Sequence, residues 1–278
     1  MKTTQTFFIL SSGRSGSHFI ARQLAHVRGL EMHHEYLCTH VQPLAFKYHL
    51  GMIPFDEACV KLQAWYGSAV QYCGLPFWAD SSNKLSWLVH VLDAVFPDCR
   101  FVHLIRDGRK VVSSYYHKLA HECYDDVSVE VMGRFLRRRD QYVEPPPEKK
   151  YWWPMPRPDE PAWSEFQQYN QFQRICYHWR EVNETIERDL TTLDSNRVMQ
   201  VKLEALAQSP ERMQSLLDFL QLPATRFAPD QLKRPDNVVR PQDYPLTDEQ
   251  TMQFNDIAGA LMTHYAYDQD DEYRVEYS

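Results

Sequence analysis

The stretch TFFILSSGRSGSHFIARQLAHV, residues 6–27, constrains this chain most. Four apolar residues, Phe7 to Leu10, run straight into serine, glycine and one arginine, and Ile20, Leu24 and Val27 then recur at helical spacing. The apolar run predicts a short buried strand over 6–11. The pattern after it predicts a helix that closes at Gly29 as its C-cap. A strand that turns into a helix through small residues presents unpaired N–H groups and the positive end of a helix dipole, which favour an anion. Gly13 and Gly16 permit backbone angles and a close approach that a side chain would forbid. Ser15 and Ser17 add hydroxyls, and Arg14 adds a fixed fork of donors. A merely flexible turn is the competing reading, and the loop alone does not decide between them.

Further along, a helical stretch is expected over 54–66, with Phe55, Ala58, Leu62 and Trp65 on one face and Gly67 just beyond. PFWAD reads as a strand, KLSWLVHVLDAVF as an amphipathic helix ended by Pro97, and RFVHLI as a second buried strand. A long helix is expected over about 164–190, then the strand RVMQVKL. The helix SPERMQSLLDFLQL follows with Ser209 as N-cap, and a last helix opens at Thr247 with Gln250 at capping-box spacing. The segment from about 140 to 163 is dense in proline and aromatics and cannot be a regular helix or central strand. It reads as an ordered insertion. Short apolar strands alternating with helices predict an α/β fold: one P-loop-like domain over 1–278, with a central parallel sheet flanked by helices.

Bulk properties narrow the function. A net charge of −7 lacks the broad cationic surface that nucleic acids or anionic membranes require. The six cysteines, among them Cys38, Cys99 and Cys176, show no metal-like spacing and read as reduced thiols of a cytoplasmic protein. No segment is apolar for long enough to serve as a signal sequence or membrane span.

A second cluster follows FVHLI: Arg106, Asp107, Gly108, Arg109, then Ser113 and Ser114. Arg106 stands at a strand end, where ligands of open α/β sheets bind. Ser114 follows about two helical turns on, able to share one anion with the helix start. A solvated helix start capped by Asp107 is the alternative. Two such sites in one sheet suggest a ligand with phosphate-like groups at both ends. The ATP-type P-loop does not fit, because His18 stands where its second glycine should fall and no lysine follows Gly16.

GRSGS together with FVHLIRDGRKVVSSYY resembles the two cofactor signatures of the sulfotransferase superfamily, in the loop form of its tyrosylprotein and bacterial members. VMQVKLEALAQSPERMQSLLDFLQL is more loosely similar to a third family segment, so the resemblance spans most of the chain. It implies 3′-phosphoadenosine 5′-phosphosulfate (PAPS) as sulfuryl donor, with no metal required. It also implies that Gly13, Arg14, Ser15, Gly16, Ser17 and His18 grip the 5′-phosphosulfate, while Arg106 and Ser114 hold the 3′-phosphate. Departures are Gly13 for a proline, His18 for a threonine and Leu203 for a tyrosine. The lysine or histidine that many relatives carry after their third strand is not clearly matched.

Sulfuryl transfer asks a protein mainly to position groups and stabilise charge, which falls to Arg14 and the loop amides. A hydroxyl acceptor must also lose a proton. The resemblance implies Glu35 as general base, with Glu31, His33 and His34 as neighbouring competitors. Lys84 either assists at the bridging oxygen or, as the favoured reading, is a solvated residue opening the next helix. Arg240 is a candidate to close over the 3′-phosphate. Tyr151, Trp152, Trp153 and Trp163 either stack on the acceptor (a small molecule, sugar or peptide) or form the insertion's own core. The rival functions are a P-loop kinase or nucleotide hydrolase, and a non-catalytic protein that binds PAPS or its desulfated product PAP.

Overall fold

The apolar run that opens the chain forms β1, Gln5–Leu10, and its alternation sorts the two faces of a sheet. Phe8 and Leu10 enter one core with Trp78, Phe101 and Leu88, whereas Phe7 and Ile9 enter another with Ala79, Val102 and Leu104. Both faces are apolar because helices cover both. The computed structural model describes residues 4–232 and 244–269.

Five strands pair in parallel in the order β2-β3-β1-β4-β5, where β2 is Leu30–His34, β3 Phe77–Ser81, β4 Arg100–Ile105 and β5 Val198–Lys202. The α/β architecture expected from the alternating pattern is therefore present. The helix α1, Ser17–Leu24, connects β1 to β2. Next come α2 at Cys38–His49, α3 at Phe55–Leu62, α4 at Ser68–Tyr72 and α5 at Val89–Val95. The helix α6, Gly108–Lys118, follows β4, and α7 spans Asp126–Arg137. Then come α8 at Ala162–Gln168 and the long α9 at Gln171–Leu190. After β5 lie α10 at Leu203–Gln208, α11 at Pro210–Phe219, α12 at Pro229–Leu232 and α13 at Asp248–His264. Ser209 and Thr247 cap α11 and α13 as expected, the latter in a full capping box with Gln250.

Several elements differ from expectation. The strand β2 has only Leu30 buried, because it lies at the sheet edge where an apolar pattern is not demanded. The helix α1 ends at Leu24, and Gly29, at φ 81°, instead turns the chain into β2. The helix from Phe55 does not stop at Gly67. One π turn over Gln63–Gly67 carries it into α4 and turns Tyr66, rather than Trp65, into the core. Residues 83–87 form a 3-10 turn ahead of α5. The long helix is broken at Tyr169, since Asn170 caps α9 in a capping box with Gln173.

The proline–aromatic insertion is a strap laid over α2, α6 and α9. Trp152 and Trp153 are buried in the core that holds Phe46, Tyr115, Tyr124 and Trp179. Gln42 of α2 pins the strap by donating to the Trp152 and Lys149 carbonyls at 2.6 and 3.2 Å. The indole N–H groups of Trp152 and Trp153 donate to the Pro146 and Glu122 carbonyls. Among the described residues no helix is long and apolar enough to cross a membrane. Arg240 lies outside the described residues.

Candidate active site

The carboxyl ends of β2, β3, β1 and β4 deliver, in that order across the sheet, Glu35, Lys84, the Gly13–Ser17 loop and Arg106. Parallel pairing aligns these ends, so residues far apart in sequence share one edge.

In the loop after β1, Gly13, Arg14 and Gly16 adopt left-handed angles of 78°, 52° and 88°. Successive residues of this kind fold the chain into a concave run of N–H groups suited to an anion. Packing enforces the shape. A Cβ on Gly13 would stand 2.0 Å from the Tyr115 hydroxyl, and one on Gly16 would stand 2.5 Å from Leu203. Leu203 thus closes the loop sterically. The Ser15 hydroxyl donates to the Gly13 carbonyl at 3.0 Å and lies 2.9 Å from the Ser12 hydroxyl. Ser15 and Ser17 are buried, Arg14 and Gly16 half-buried, and His18 is exposed with its ring 5.2 Å from that of His34.

The second cluster meets the first directly. Arg106 Nη1 donates to the Arg14 carbonyl at 2.7 Å, and Arg14 Nε donates to the Ser114 hydroxyl at 2.9 Å. Asp107 caps α6 by accepting from the Arg109 N–H at 2.9 Å and pairs with the Arg109 guanidinium. Arg109 is therefore held by a neighbouring carboxylate, while Arg106 turns toward the loop.

Glu35 sits in a tight connection between β2 and α2, at φ 56°. Its N–H donates to the Ser81 carbonyl, and the adjoining Tyr36 N–H donates to Asp80 Oδ1 at 3.2 Å. These contacts hold an otherwise costly backbone conformation. Lys84 Nζ donates to Glu35 Oε1 at 2.6 Å and to Asn83 Oδ1 at 2.7 Å. Lys84 is 4% exposed, so it is not the solvated helix opener expected from sequence. Its position just past a strand end was the signal, since Arg106 holds the same kind of position. Burial pushes the Glu35 carboxyl up, but the Lys84 charge and hydrogen bond outweigh it and leave the group below its ordinary value. Burial pulls the Lys84 ammonium below its usual value, and Glu35 restores only part of that. His34 is held by the Ser81 carbonyl at 2.8 Å, and His33 by Glu31 at 2.9 Å. His34 and Glu35 also act on each other through charge.

Beside Lys84 opens a cavity of about 20 Å³, room for roughly one water molecule. Asn83, Lys84 and His178 line it together with Trp87, Trp152 and Trp153. The buried strap tryptophans thus serve both a core and the wall beside Lys84. Among the described residues, no group of three or more His, Cys, Asp or Glu could hold a metal ion.

A family model described as the sulfotransferase domain matches residues 6–239. The fold is similar to that of the sulfotransferase domain of the Synechococcus PCC 7002 olefin synthase, 18% identical, with a TM-score of 0.52 over 98% of both chains. A sulfotransferase domain from the curacin biosynthetic pathway is 16% identical over 99% of this chain and 95% of its own, with a TM-score of 0.49. A sulfotransferase from Alicyclobacillus acidocaldarius is 16% identical over 94% and 96%, with a TM-score of 0.47. No curated protein matches the chain at the sequence level. With the family match covering most of its length, the Gly13–Ser17 loop and the Arg106–Ser114 segment included, the chain belongs to the sulfotransferase family.

Proposed function

We propose that this protein is a PAPS-dependent sulfotransferase acting on a hydroxyl or amine of a small-molecule, carbohydrate or peptide acceptor, as one domain over 1–278 in the cytoplasm. One observation carries the reading: the Arg14 loop and the Arg106–Ser114 pair are in hydrogen-bond contact at adjacent strand ends. A single nucleotide with charge at both ends suits that juxtaposition. At Gly13 and Gly16 a Cβ would collide with Tyr115 and Leu203, so packing fixes the shape of the loop that would hold the anion. The donor set of these residues, backbone N–H groups, hydroxyls and guanidinium groups, fits the phosphate and phosphosulfate groups of that cofactor.

PAPS supplies a sulfuryl group already activated on a phosphate. The loop amides from Gly13 to Ser17 and the Arg14 guanidinium then bind the phosphosulfate end and stabilise charge there. His18, at the rim, completes that end. Arg106 and Ser114 would hold the ribose-bound phosphate, one with guanidinium donors and the other with its hydroxyl. Glu35, kept ionised by Lys84, takes the acceptor's proton at a carboxylate oxygen. Lys84 carries positive charge to the same place.

Transfer of labelled sulfate from PAPS to a panel of alcohols, phenols, sugars and tyrosyl peptides tests the proposal. Wild type is expected to label at least one acceptor class. Glu35→Gln is expected to lose about 10²–10⁴-fold in turnover with PAP affinity retained. Full turnover in that variant would remove Glu35 from its role.

A further inference from the structure

His178 projects from α9 into the middle of the molecule, 2% exposed, and belongs to neither anion-binding segment. Its Nε2 is 2.8 Å from the carbonyl of Ser12, the residue that precedes the left-handed run of the loop. The Tyr115 hydroxyl donates to that same carbonyl at 2.9 Å. On its other side, His178 Nδ1 is 3.1 Å from the Tyr124 hydroxyl, which also contacts the Pro154 carbonyl of the strap. His178 and Pro154 both line the cavity beside Lys84.

Proton counting fixes the direction of these bonds. Burial pulls the imidazole down to about 4, so the ring is neutral near pH 7 and carries one N–H. A carbonyl can only accept, so that proton sits on Nε2 and is given to Ser12. Nδ1 is left without a proton, 3.1 Å from the Tyr124 hydroxyl. That hydroxyl has one proton, which it gives to the Pro154 carbonyl. The imidazole is thus hydrogen-bonded to the loop and the tyrosine to the strap, and the two side chains meet in a close polar contact between them.

We propose that His178 is a positioning residue that ties the anion loop to the proline–aromatic strap, so that one side chain sets both the donor-binding backbone and the wall beside Lys84. The terms donor and acceptor rest on the function proposed above. The geometric link itself does not. A role in packing alone is the competing account, since the ring also lies 5.3 Å from Trp153 and 5.5 Å from Tyr115.

Hydrogen exchange on the full chain, with PAP titration calorimetry beside it, separates the two. In His178→Phe, exchange is expected to quicken both in residues 11–18 and in residues 149–154, with PAP bound about tenfold more weakly, the worth of one buried hydrogen bond. The amide of His178→Gln reaches the place of Nε2, so it is expected to restore the loop's protection and PAP affinity but not the strap's protection. His178→Asn reaches the place of Nδ1 and is expected to do the reverse. Equal behaviour of all three variants, or unchanged exchange in both segments, would overturn the proposal. If His178→Phe does not fold, the opposed rescue pattern of the other two variants still decides. Wild type that binds no PAP would overturn the proposed function instead, and the exchange pattern would continue to test the link.

Discussion

Lys84 determines the charge state of Glu35. With the ammonium 2.6 Å away, the carboxylate persists despite burial. In Lys84→Met burial is opposed only by the lesser charges of His34 and Lys149, so the Glu35 pKa should rise. The acid limb of the activity profile is then expected at higher pH than in wild type, measured as kcat/KM against pH. An unmoved limb would show that another group limits activity. Asp80 is the contrasting carboxylate. Burial raises it from 3.8 to about 6, and the hydrogen bonds from Tyr66 and the Tyr36 N–H offset only part of that. A carboxyl that holds its proton longer when folded stabilises most below the unfolded value and loses that contribution as pH rises through the folded one. Wild type should therefore lose about 1–3 kcal/mol of stability between about pH 4 and pH 6, and Asp80→Asn should be flatter there by urea denaturation. The loop residues and Arg106 could be singled out from sequence because each follows an apolar strand within a few positions. The Glu35–Lys84 pair could not, because the two meet only through the pairing of β2 with β3.

At the level of elements, the loop after β1 is shaped from outside as much as by its glycines. The Tyr115 hydroxyl of α6 fills the space a Cβ on Gly13 would need. Gly13→Ala is expected to cost about 1–3 kcal/mol through strain at positive φ and the collision together. Tyr115→Phe should relieve the worst of the collision but neither the 2.7 Å approach to Asn83 Nδ2 nor the strain, so the double variant should be more stable than the sum of the single changes implies. Strict additivity in thermal denaturation would contradict this. Strands β1, β3, β4 and β5 were legible because their residues alternate or run apolar, and the caps of α11 and α13 because their side chains carry local instructions. The edge strand β2 was not, as Glu31, His33 and His34 look like a loop until β3 lies alongside. The π turn before α4 has no sequence mark and is explained by Tyr66 reaching Asp80 at 2.8 Å. The strap's composition showed that it was ordered, but not that Trp152 and Trp153 belong to the main core.

For the molecule as a whole, the balance is acidic, at −7, yet Arg14, Arg106 and Lys84 gather along one sheet edge. A local field of that sign suits a small polyanion and not an extended one. The sheet order brings four strand ends into line, and the contacts of Arg14 with Arg106 and Ser114 join two segments separated by about 90 residues. The account stands on those two segments forming one nucleotide site. Titration calorimetry with adenosine 3′,5′-bisphosphate, in the presence and absence of magnesium, measures that directly. Wild type should bind one equivalent equally well in both conditions, and Arg106→Ala should bind at least about tenfold more weakly, the loss of a charge-assisted contact. No binding, binding that requires magnesium, or unchanged affinity in Arg106→Ala would contradict it.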